Sequence, residues 1–202
     1  MVEAAGVSDR GGTEALELLI LDALPGVGPS KLLALVTRFG SAAAALRAPE
    51  PDFGAIAGRE AAGLRTDASI RRRVVAGLRA ARACGAEVVT WSDPSWPPAL
   101  RHLADPPPVL FLRGDPALLE GPAVTVVGAR RATERARDVA RRLGSAVARS
   151  DRVVVSGLAL GVDGAAHRGA LDAGGDTVAV LGTGPDVAYP RSHAKLFARI
   201  ST

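Results

Sequence analysis

The 202-residue sequence predicts an α/β protein in which a doubly wound, mostly parallel sheet follows a small all-helical domain. Two observations predict this fold class. Apolar residues recur at helical spacing from Thr13 to about residue 84, whereas short apolar runs alternate with helical segments beyond Gly85. Three of those runs, AVTVVG, RVVVSG and TVAVLG, are continuously apolar, which is typical of strands covered on both faces. Strands that alternate with helices at this spacing indicate a parallel sheet.

The composition excludes several classes of protein. With 48% hydrophobic and 23% charged residues, the chain can bury a core. A single cysteine, Cys84, allows neither an internal disulfide nor a cysteine zinc site, and we expect no metal and no cofactor. Since neither a secretory signal nor an apolar run of about 18 residues is present, we expect a soluble, cytoplasmic protein without a membrane contact. A net charge of +4 is compatible with a polyanionic partner.

The first part of the chain predicts a loose tail over residues 1–12 and a helical domain over residues 13–84. TEALELLILDAL forms the first helix, and PSKLLALVTRFG forms the second, with Pro29 in its first turn and Gly40 at its end. Ser41 is expected to cap a third helix. APEPDF predicts a break, after which further helical segments end near Ala83.

The segment LPGVGPSK joins the first two predicted helices. Its hydrophobic-x-Gly-hydrophobic-Gly pattern is that of a helix-hairpin-helix motif, in which glycine N–H groups hold a DNA phosphate. On this interpretation Gly26, Gly28 and Lys31 contact duplex DNA. A tight Gly-Pro turn that only packs two helices explains the pattern equally well.

The second part, residues 85–202, predicts the sheet domain. AEVVTWSD and VLFLRGD are short strands, and the three apolar runs are followed by helices over about 133–148, over about 163–173 and from Ser192. A doubly wound sheet usually has more strands than these, so we expect a domain that is incomplete at its C-terminus.

Glycines and polar side chains follow all three apolar runs. In parallel sheets ligands collect beyond the carboxyl ends of the strands, so these segments predict an anion-binding edge. A nucleotide is disfavoured, because GARRAT has one glycine where a dinucleotide fingerprint needs three, and no Lys-Ser/Thr pair completes a phosphate loop. The phosphates of a polymer, or no anion at all, remain as the other interpretations.

Other polar residues of this part have simpler interpretations than catalysis. Asp163 and His167 lie four apart and would suit an acid–base pair, but Asp163 is more simply a helix N-cap with His167 hydrogen-bonded nearby. The arginines of the segment after AVTVVG are interpreted as solvent-facing partners of Glu134 and Asp138, with contact to an anion as the alternative. This interpretation covers Arg135, Arg137, Arg141 and Arg142.

Three motifs, VGARRAT, SGLALGVDGAAHRGAL and AVLGTGPDVAYPRSHAKL, in this order resemble the DNA-processing protein A (DprA/Smf) family. LPGVGPSKLLALVTRFGS is similar to that family's sterile-alpha-motif-like (SAM-like) or helix-hairpin-helix domain. The resemblance implies a Rossmann-like fold and a homodimer that binds single-stranded DNA. It also implies that the protein loads RecA recombinase in natural transformation and has no enzymatic activity. The family's sheet continues into strands that are expected to provide the dimer surface.

The resemblance also implies which residues line the DNA site. Arg191 stands where the family usually has lysine, and Lys195 follows it. The other expected site residues are Arg130, Ser156, Gly157, Gly161, Gly182, Thr183, Gly184, Asp186, Tyr189 and Pro190.

Two other functions remain as alternatives. One is a phosphoribohydrolase that cleaves nucleoside monophosphates, of the lysine-decarboxylase-like family, although its PGGxGTxxE string is not present. The other is a purely structural protein–protein module.

Overall fold

A computed structural model describes residues 9–201 and divides the chain into two compact units after Phe111. Residues 1–8 of the predicted tail lie outside the described residues. Asp9 to Gly12 belong to the first helix, which therefore begins earlier than expected. Within residues 9–201, no helix is both long and apolar enough to cross a membrane.

The first unit contains six helices and two short strands in its described part. Helices α1 to α6 span Asp9–Asp22, Pro29–Phe39, Ala42–Arg47, Glu50–Ala57, Arg59–Leu64 and Ala68–Ala83, and strands β1 and β2 span Glu87–Thr90 and Val109–Leu112. The two strands pair with each other, and a 3₁₀ turn covers Pro98–His102 between them.

The predicted helix ends are confirmed in detail for α2 and α3. Gly40 adopts a φ of 85° and its N–H donates to the Val36 carbonyl, which ends α2. The Ser41 hydroxyl accepts the N–H of Ala44 at 3.0 Å and caps α3. The predicted break at APEPDF is shorter than expected, because only Ala48 and Pro49 separate α3 from α4, which begins at Glu50. Pro51 lies in its first turn, where a missing N–H costs no hydrogen bond.

The core of the first unit extends from the helices into the strands. Leu18, Leu32 and Phe53 are almost fully buried, and Val109 of β2 joins the same apolar cluster. Phe111 packs against it. Both strands therefore group with the helices, although their sequence pattern placed them in the domain that begins at residue 85.

The second unit contains a parallel three-stranded sheet with the order β3-β4-β5. Val124 pairs with Val154, and Val155 with Val178. Strands β3 to β5 span Ala123–Thr125, Val153–Ser156 and Thr177–Ala179, helices α7 to α9 span Glu134–Ala148, Val162–Asp172 and Ala194–Ile200, and 3₁₀ turns cover Pro116–Leu119 and Arg191–His193. The predicted α/β class with a parallel sheet is confirmed.

Helices α7 and α8 pack closely together on one face of this sheet. Val147 of α7 and Ala166 of α8 share an apolar cluster with Val154 of β4. A Cβ atom on Gly144 would overlap the Ala166 carbonyl oxygen, so the absence of a side chain allows the helices to approach. Helix α9 adds a second cluster, in which Phe197 packs with the almost fully buried Leu158.

Coverage of the sheet is uneven. The continuously apolar strands predicted that both faces would be buried, and Val154 is indeed inaccessible beneath α7 and α8. Val127 and Val180, which follow β3 and β5, are 66% and 64% exposed. Apolar runs therefore identified the strands correctly but overestimated the burial at their ends.

We expect Gly144→Ala to lower the free energy of unfolding of the second unit by about 2 kcal/mol, because the new methyl group must push α7 and α8 apart. Urea unfolding followed by circular dichroism measures this change. Both tryptophans, Trp91 and Trp96, lie in the first unit, so their fluorescence reports whether that unit is unaffected.

The matched control is Gly77→Ala in α6, where a Cβ atom would meet nothing within 4 Å. There the better helix propensity of alanine should raise the free energy of unfolding by about 1 kcal/mol. Equal effects of the two substitutions would contradict the close helix contact.

Candidate functional site

Three turns follow the three parallel strands and form one edge of the second unit, which we name the strand-end rim. Turn 1 covers residues 128–133, turn 2 residues 157–161 and turn 3 residues 182–190. Next to turn 2, the Val162 N–H donates to the Ala129 carbonyl of turn 1 at 3.3 Å. On its other side, the Val180 N–H donates to the Ser156 carbonyl at 2.8 Å. Turn 2 thus lies between the other two.

The carboxylate of Asp163 joins turns 1 and 2. It is 6% exposed, and its Oδ1 accepts the N–H of Gly128 at 3.3 Å while its Oδ2 accepts the N–H of Gly157 at 3.1 Å. The prediction that Asp163 caps α8 is wrong, because the N-cap is Gly161 and no side chain caps that helix. Asp163 lies inside the first turn of α8, so its side chain reaches the strand ends and not its own helix end.

The glycines of the rim have two different roles. A Cβ on Gly157 would lie 2.8 Å from Asp163 Oδ2, and one on Gly161, whose φ is +81°, would overlap the Ala129 carbonyl oxygen. The contacts within the protein therefore explain why Gly157 and Gly161 have no side chain, without any ligand. A Cβ atom on Gly182 would meet nothing within 4 Å, and the φ of Gly182 is not positive, so the fold leaves room for a side chain there.

Ser156 lies at the end of β4 and holds the sheet together. Its hydroxyl donates to the Val126 carbonyl at 2.6 Å, and the residue is 2% exposed. The resemblance implied that Ser156 lines the DNA site. The structure places its hydroxyl inside the sheet and not on the surface of the rim, so any effect of Ser156 on a ligand is indirect.

His193 forms a hydrogen bond with the backbone of turn 2 on its buried side, a contact that the sequence did not reveal. It is 5% exposed, and its Nδ1–H donates to the Leu158 carbonyl at 3.0 Å. Leu158 adopts a φ of 57°, an uncommon conformation for a residue other than glycine. The only sequence signal was a histidine placed directly before an apolar helix, which is too general to identify its partner.

His167 is fully buried and forms part of a hydrogen-bonded chain. Its Nδ1–H donates to the Thr177 hydroxyl at 2.7 Å, and that hydroxyl donates to the Val154 carbonyl at 2.7 Å. Nε2 has no partner within the described residues. Burial lowers the pKa of His167 to about 4, opposed by Asp163 and assisted by His193 and Arg168. The imidazole is therefore neutral at pH 7, and it does not form an acid–base pair with Asp163, whose oxygens bind backbone amides.

Three of the exposed cations that lie in the rim or shortly after turn 3 have no side-chain partner within the described residues. Arg130, Arg191 and Lys195 form no hydrogen bond or ion pair through their side chains in the described part of the chain. Arg113 is different, because its guanidinium donates to the Pro185 carbonyl at 3.3 Å and lies 5.4 Å from the centre of the Phe197 ring. Arg113 supports turn 3, whereas the three free cations are available to a ligand.

The remaining expected residues of turn 3 are on the surface. Tyr189 is 61% exposed. Thr183 is exposed and its hydroxyl donates to the Val187 carbonyl at 3.2 Å. Gly184, Asp186 and Gly182 are exposed as well.

Backbone donors of turn 2 are also unused. The N–H groups of Ala159, Leu160 and Gly161 form no hydrogen bond with the residues that the structure describes. They precede α8, an eleven-residue helix, and the N-terminus of a helix favours an anion. The rim thus combines free N–H groups with free cations. No group of three His, Cys, Asp or Glu side chains within residues 9–201 is placed to bind a metal.

The helix-hairpin-helix segment of the first unit shows features of both interpretations. Leu24 and Val27 are buried in the helical core, as a packing turn requires. Gly26, with a φ of 69°, and Gly28 are exposed. The Lys31 ammonium donates to the Ala57 carbonyl at 3.2 Å, so it already has one intramolecular partner.

We expect Asp163→Asn to lower the free energy of unfolding of the second unit by about 2 kcal/mol. The amide oxygen of asparagine accepts only one of the two backbone N–H groups, and its NH₂ group faces the other donor. Urea unfolding by circular dichroism measures the loss. Asp176→Asn, at an exposed aspartate of the same unit, is the control and should leave stability unchanged.

The free energy of unfolding should also decrease when the pH is lowered, because of His167. The pKa of this imidazole is lower in the folded state than its ordinary value of 6.5, so the unfolded state binds more protons between pH 6.5 and about 4. The stabilisation by the neutral ring is complete above pH 6.5 and is lost as the pH falls to about 4, by up to about 3 kcal/mol.

Urea unfolding of the parent and of His167→Gln across this pH range measures the effect. The variant should be less stable near pH 7 but lose less stability on acidification. His102→Gln, at an exposed histidine, should keep the slope of the parent. Identical slopes in all three proteins would show that His167 does not cause the dependence.

Known proteins match the second unit and part of the first in sequence. A family model for DNA recombination-mediator protein A matches residues 87–202. The protein Smf of Synechocystis is 39% identical over 119 residues, which are 57% of this chain and 30% of that protein. The DNA processing protein DprA of Streptococcus pneumoniae is 40% identical over 104 residues, which are 52% of this chain and 36% of that protein. The chain thus spans about a third of the length of these relatives.

The fold has a match among solved structures. The X-ray structure of DNA processing protein A from Streptococcus pneumoniae superimposes with a TM-score of 0.71 at 24% identity, covering 98% of this chain and 65% of that chain. This likeness confirms the predicted fold. The family model covers more than half of the sequence, including all three turns of the strand-end rim. The chain therefore belongs to the DNA recombination-mediator protein A family, as its three motifs indicate.

Proposed function

We propose that the strand-end rim binds the sugar–phosphate backbone of single-stranded DNA. The observation that supports this most directly is the presence of unused backbone N–H groups in turn 2 beside cations without a partner in the described part of the chain. Arg130 lies in turn 1, and its planar guanidinium suits a phosphate. Arg191 and Lys195 provide charge next to turn 3.

The distribution of charge supports the same unit as the binding unit. Residues 112–202 contain 13 Lys and Arg against 9 Asp and Glu, whereas residues 1–111 contain 12 of each. The net charge of +4 therefore arises entirely in the unit that has the rim. Phosphate contacts of this kind make binding strongly dependent on salt.

A single strand fits the rim better than a duplex because the rim offers one surface on which a base can stack. Tyr189 is 61% exposed in turn 3, whereas Phe197 of the same unit is buried. Stacking on one aromatic ring tolerates any base. We therefore expect contacts with the backbone to dominate and sequence preference to be weak.

Several finer aspects of the proposal rest on family membership. The relatives are named DNA processing proteins, and on that basis we propose that the whole protein forms a homodimer and loads RecA onto the strand. Such a role requires a cytoplasmic protein. Gly26, Gly28 and Lys31 remain a proposed contact for duplex DNA. Co-precipitation with purified RecA, with and without single-stranded DNA, tests the RecA partnership.

We propose binding without catalysis. Asp163 and His167, which would be the acid–base pair of the rim, are both buried and engaged by Gly128, Gly157 and Thr177. The alternative enzyme, a phosphoribohydrolase, would release adenine from AMP. Chromatographic detection of adenine after incubation with AMP would favour that enzyme over the proposed function.

Fluorescence anisotropy with a labelled oligo-dT strand tests the proposal. We expect the parent to bind and Arg130→Ala to bind about tenfold more weakly, because one charge-assisted phosphate contact is lost. The control is Arg79→Ala, an exposed arginine of the first unit with the same change of charge. A duplex of the same sequence should bind less tightly than the single strand. Equal affinities of the parent and Arg130→Ala would contradict the assignment of the rim.

Gly182→Ala provides a second test that does not alter charge. The fold leaves open space at this position, so the variant should keep the stability of the parent. If a phosphate approaches the backbone of turn 3, the methyl group should weaken binding several-fold, in line with the cost of small misplacements at a packed contact. Unchanged affinity would place the strand away from Gly182.

A further inference from the structure

We infer that nucleic-acid backbone binds at a second place on this unit, a basic groove between α7 and α8. This inference rests on the proposed function and adds a site that is separate from the strand-end rim. The α7–α8 groove is a cavity of about 420 Å³ lined by Arg141, Arg142, Ser145, Ala146, Arg149, Gly169 and Asp172.

The arginines of the groove form a row along one helix. Arg141, Ser145 and Arg149 are spaced by four residues and therefore lie on the same side of α7 and its C-cap. With a rise of 1.5 Å per residue, Arg141 and Arg149 are about 12 Å apart along the helix axis. A row of guanidinium groups along a groove follows an extended chain of phosphates, not a single small anion.

The charges in and around the groove leave a positive surplus. Asp172 pairs with Arg141 and lies 3.5 Å from Arg199, while Arg142 pairs with Asp138 at 2.8 Å. In the Arg142 pair the side chains are 80% and 55% exposed, and such exposed pairs are weak and readily exchanged for a phosphate. Arg149 is exposed and has no ion pair within residues 9–201.

The groove exists because the helices meet closely at small residues. A Cβ atom on Gly169 would overlap the Arg141 carbonyl oxygen, so α8 lies against the backbone of α7 at this point. Ser145 and Ala146 also line the groove, and their short side chains fill little of its volume. Arg141, Arg142 and Arg149, which have much longer side chains, line the same groove.

The residues that line the groove favour the sugar–phosphate backbone of a nucleic acid over a base or a nucleotide. No aromatic side chain among the described residues lines the groove, so a base has no surface on which to stack. Guanidinium groups bind phosphate oxygens through two parallel N–H bonds irrespective of sequence. The groove should therefore add affinity without adding sequence preference.

The position of the groove predicts how long a single DNA strand must be to reach it from the strand-end rim. Helix α7 begins beside the rim and runs back along the sheet, so Arg142 and Arg149 lie about 12 and 22 Å along its axis from Glu134. The groove is thus near the amino-terminal ends of the β-strands, away from the strand-end rim. A short oligonucleotide that fills the rim does not reach it, whereas a longer one does.

The experiment compares oligo-dT of about 6 and about 30 nucleotides, lengths near and well beyond the site size of a single binding module. Arg142→Ala/Arg149→Ala should bind the long strand about tenfold more weakly and with a smaller salt slope, yet bind the short strand like the parent. Arg152→Ala, an exposed arginine near the same end of α7 that does not line the groove, is the control for a change of charge. Circular dichroism verifies that each variant is folded.

The outcomes separate the inference from the proposed function. If the parent binds neither strand, the proposed function fails. If the parent binds both and the double variant is unchanged, or is weakened equally for both lengths, the groove is not a distinct contact. An equal effect of Arg152→Ala would also overturn the inference.

Discussion

The geometry of the strand-end rim depends on one buried carboxylate. Asp163 accepts hydrogen bonds from Gly128 and Gly157, which follow two neighbouring strands, and thereby fixes the distance between turns 1 and 2. A charged group with 6% exposure is tolerated only when its oxygens are hydrogen-bonded, so the two amides and the carboxylate stabilise one another. Because these amides are occupied, the donors left for a ligand are the N–H groups further along turn 2.

Polar contacts beneath the rim complete this arrangement. Ser156 joins β4 to the residue that follows β3, Thr177 joins β5 to β4, and His193 holds the carbonyl of Leu158. Each contact uses a carbonyl that would otherwise be buried with fewer partners. These buried carbonyls are therefore satisfied within the protein, although Nε2 of His167 has no partner among the described residues. The free N–H groups of turn 2 and the free cations are the groups left for a ligand.

The sequence predicted the elements of the second unit well because they depend on local pattern. Apolar runs located the three strands, and Thr133 caps α7 at the expected position. The contacts of Asp163 could not be predicted in this way, because Gly128 lies 35 positions earlier and no periodicity connects the two. The roles of the glycines could not be predicted from local pattern either. Gly157 and Gly182 look alike in sequence, yet only the packing around Gly157 excludes a side chain. In the first unit, Pro51 suggested that the break continued, yet it lies in the first turn of α4.

The close contact between α7 and α8 also affects the thermodynamics of ligand binding. Gly144 and Gly169 bring the two backbones together along much of their length, so the turns at the start of each helix cannot shift independently. A site that is already in its binding geometry loses little conformational entropy when a ligand arrives. The mobile partner in the encounter is then the polymer, and the entropic penalty of complex formation comes mainly from ordering the nucleic acid and not from ordering the protein.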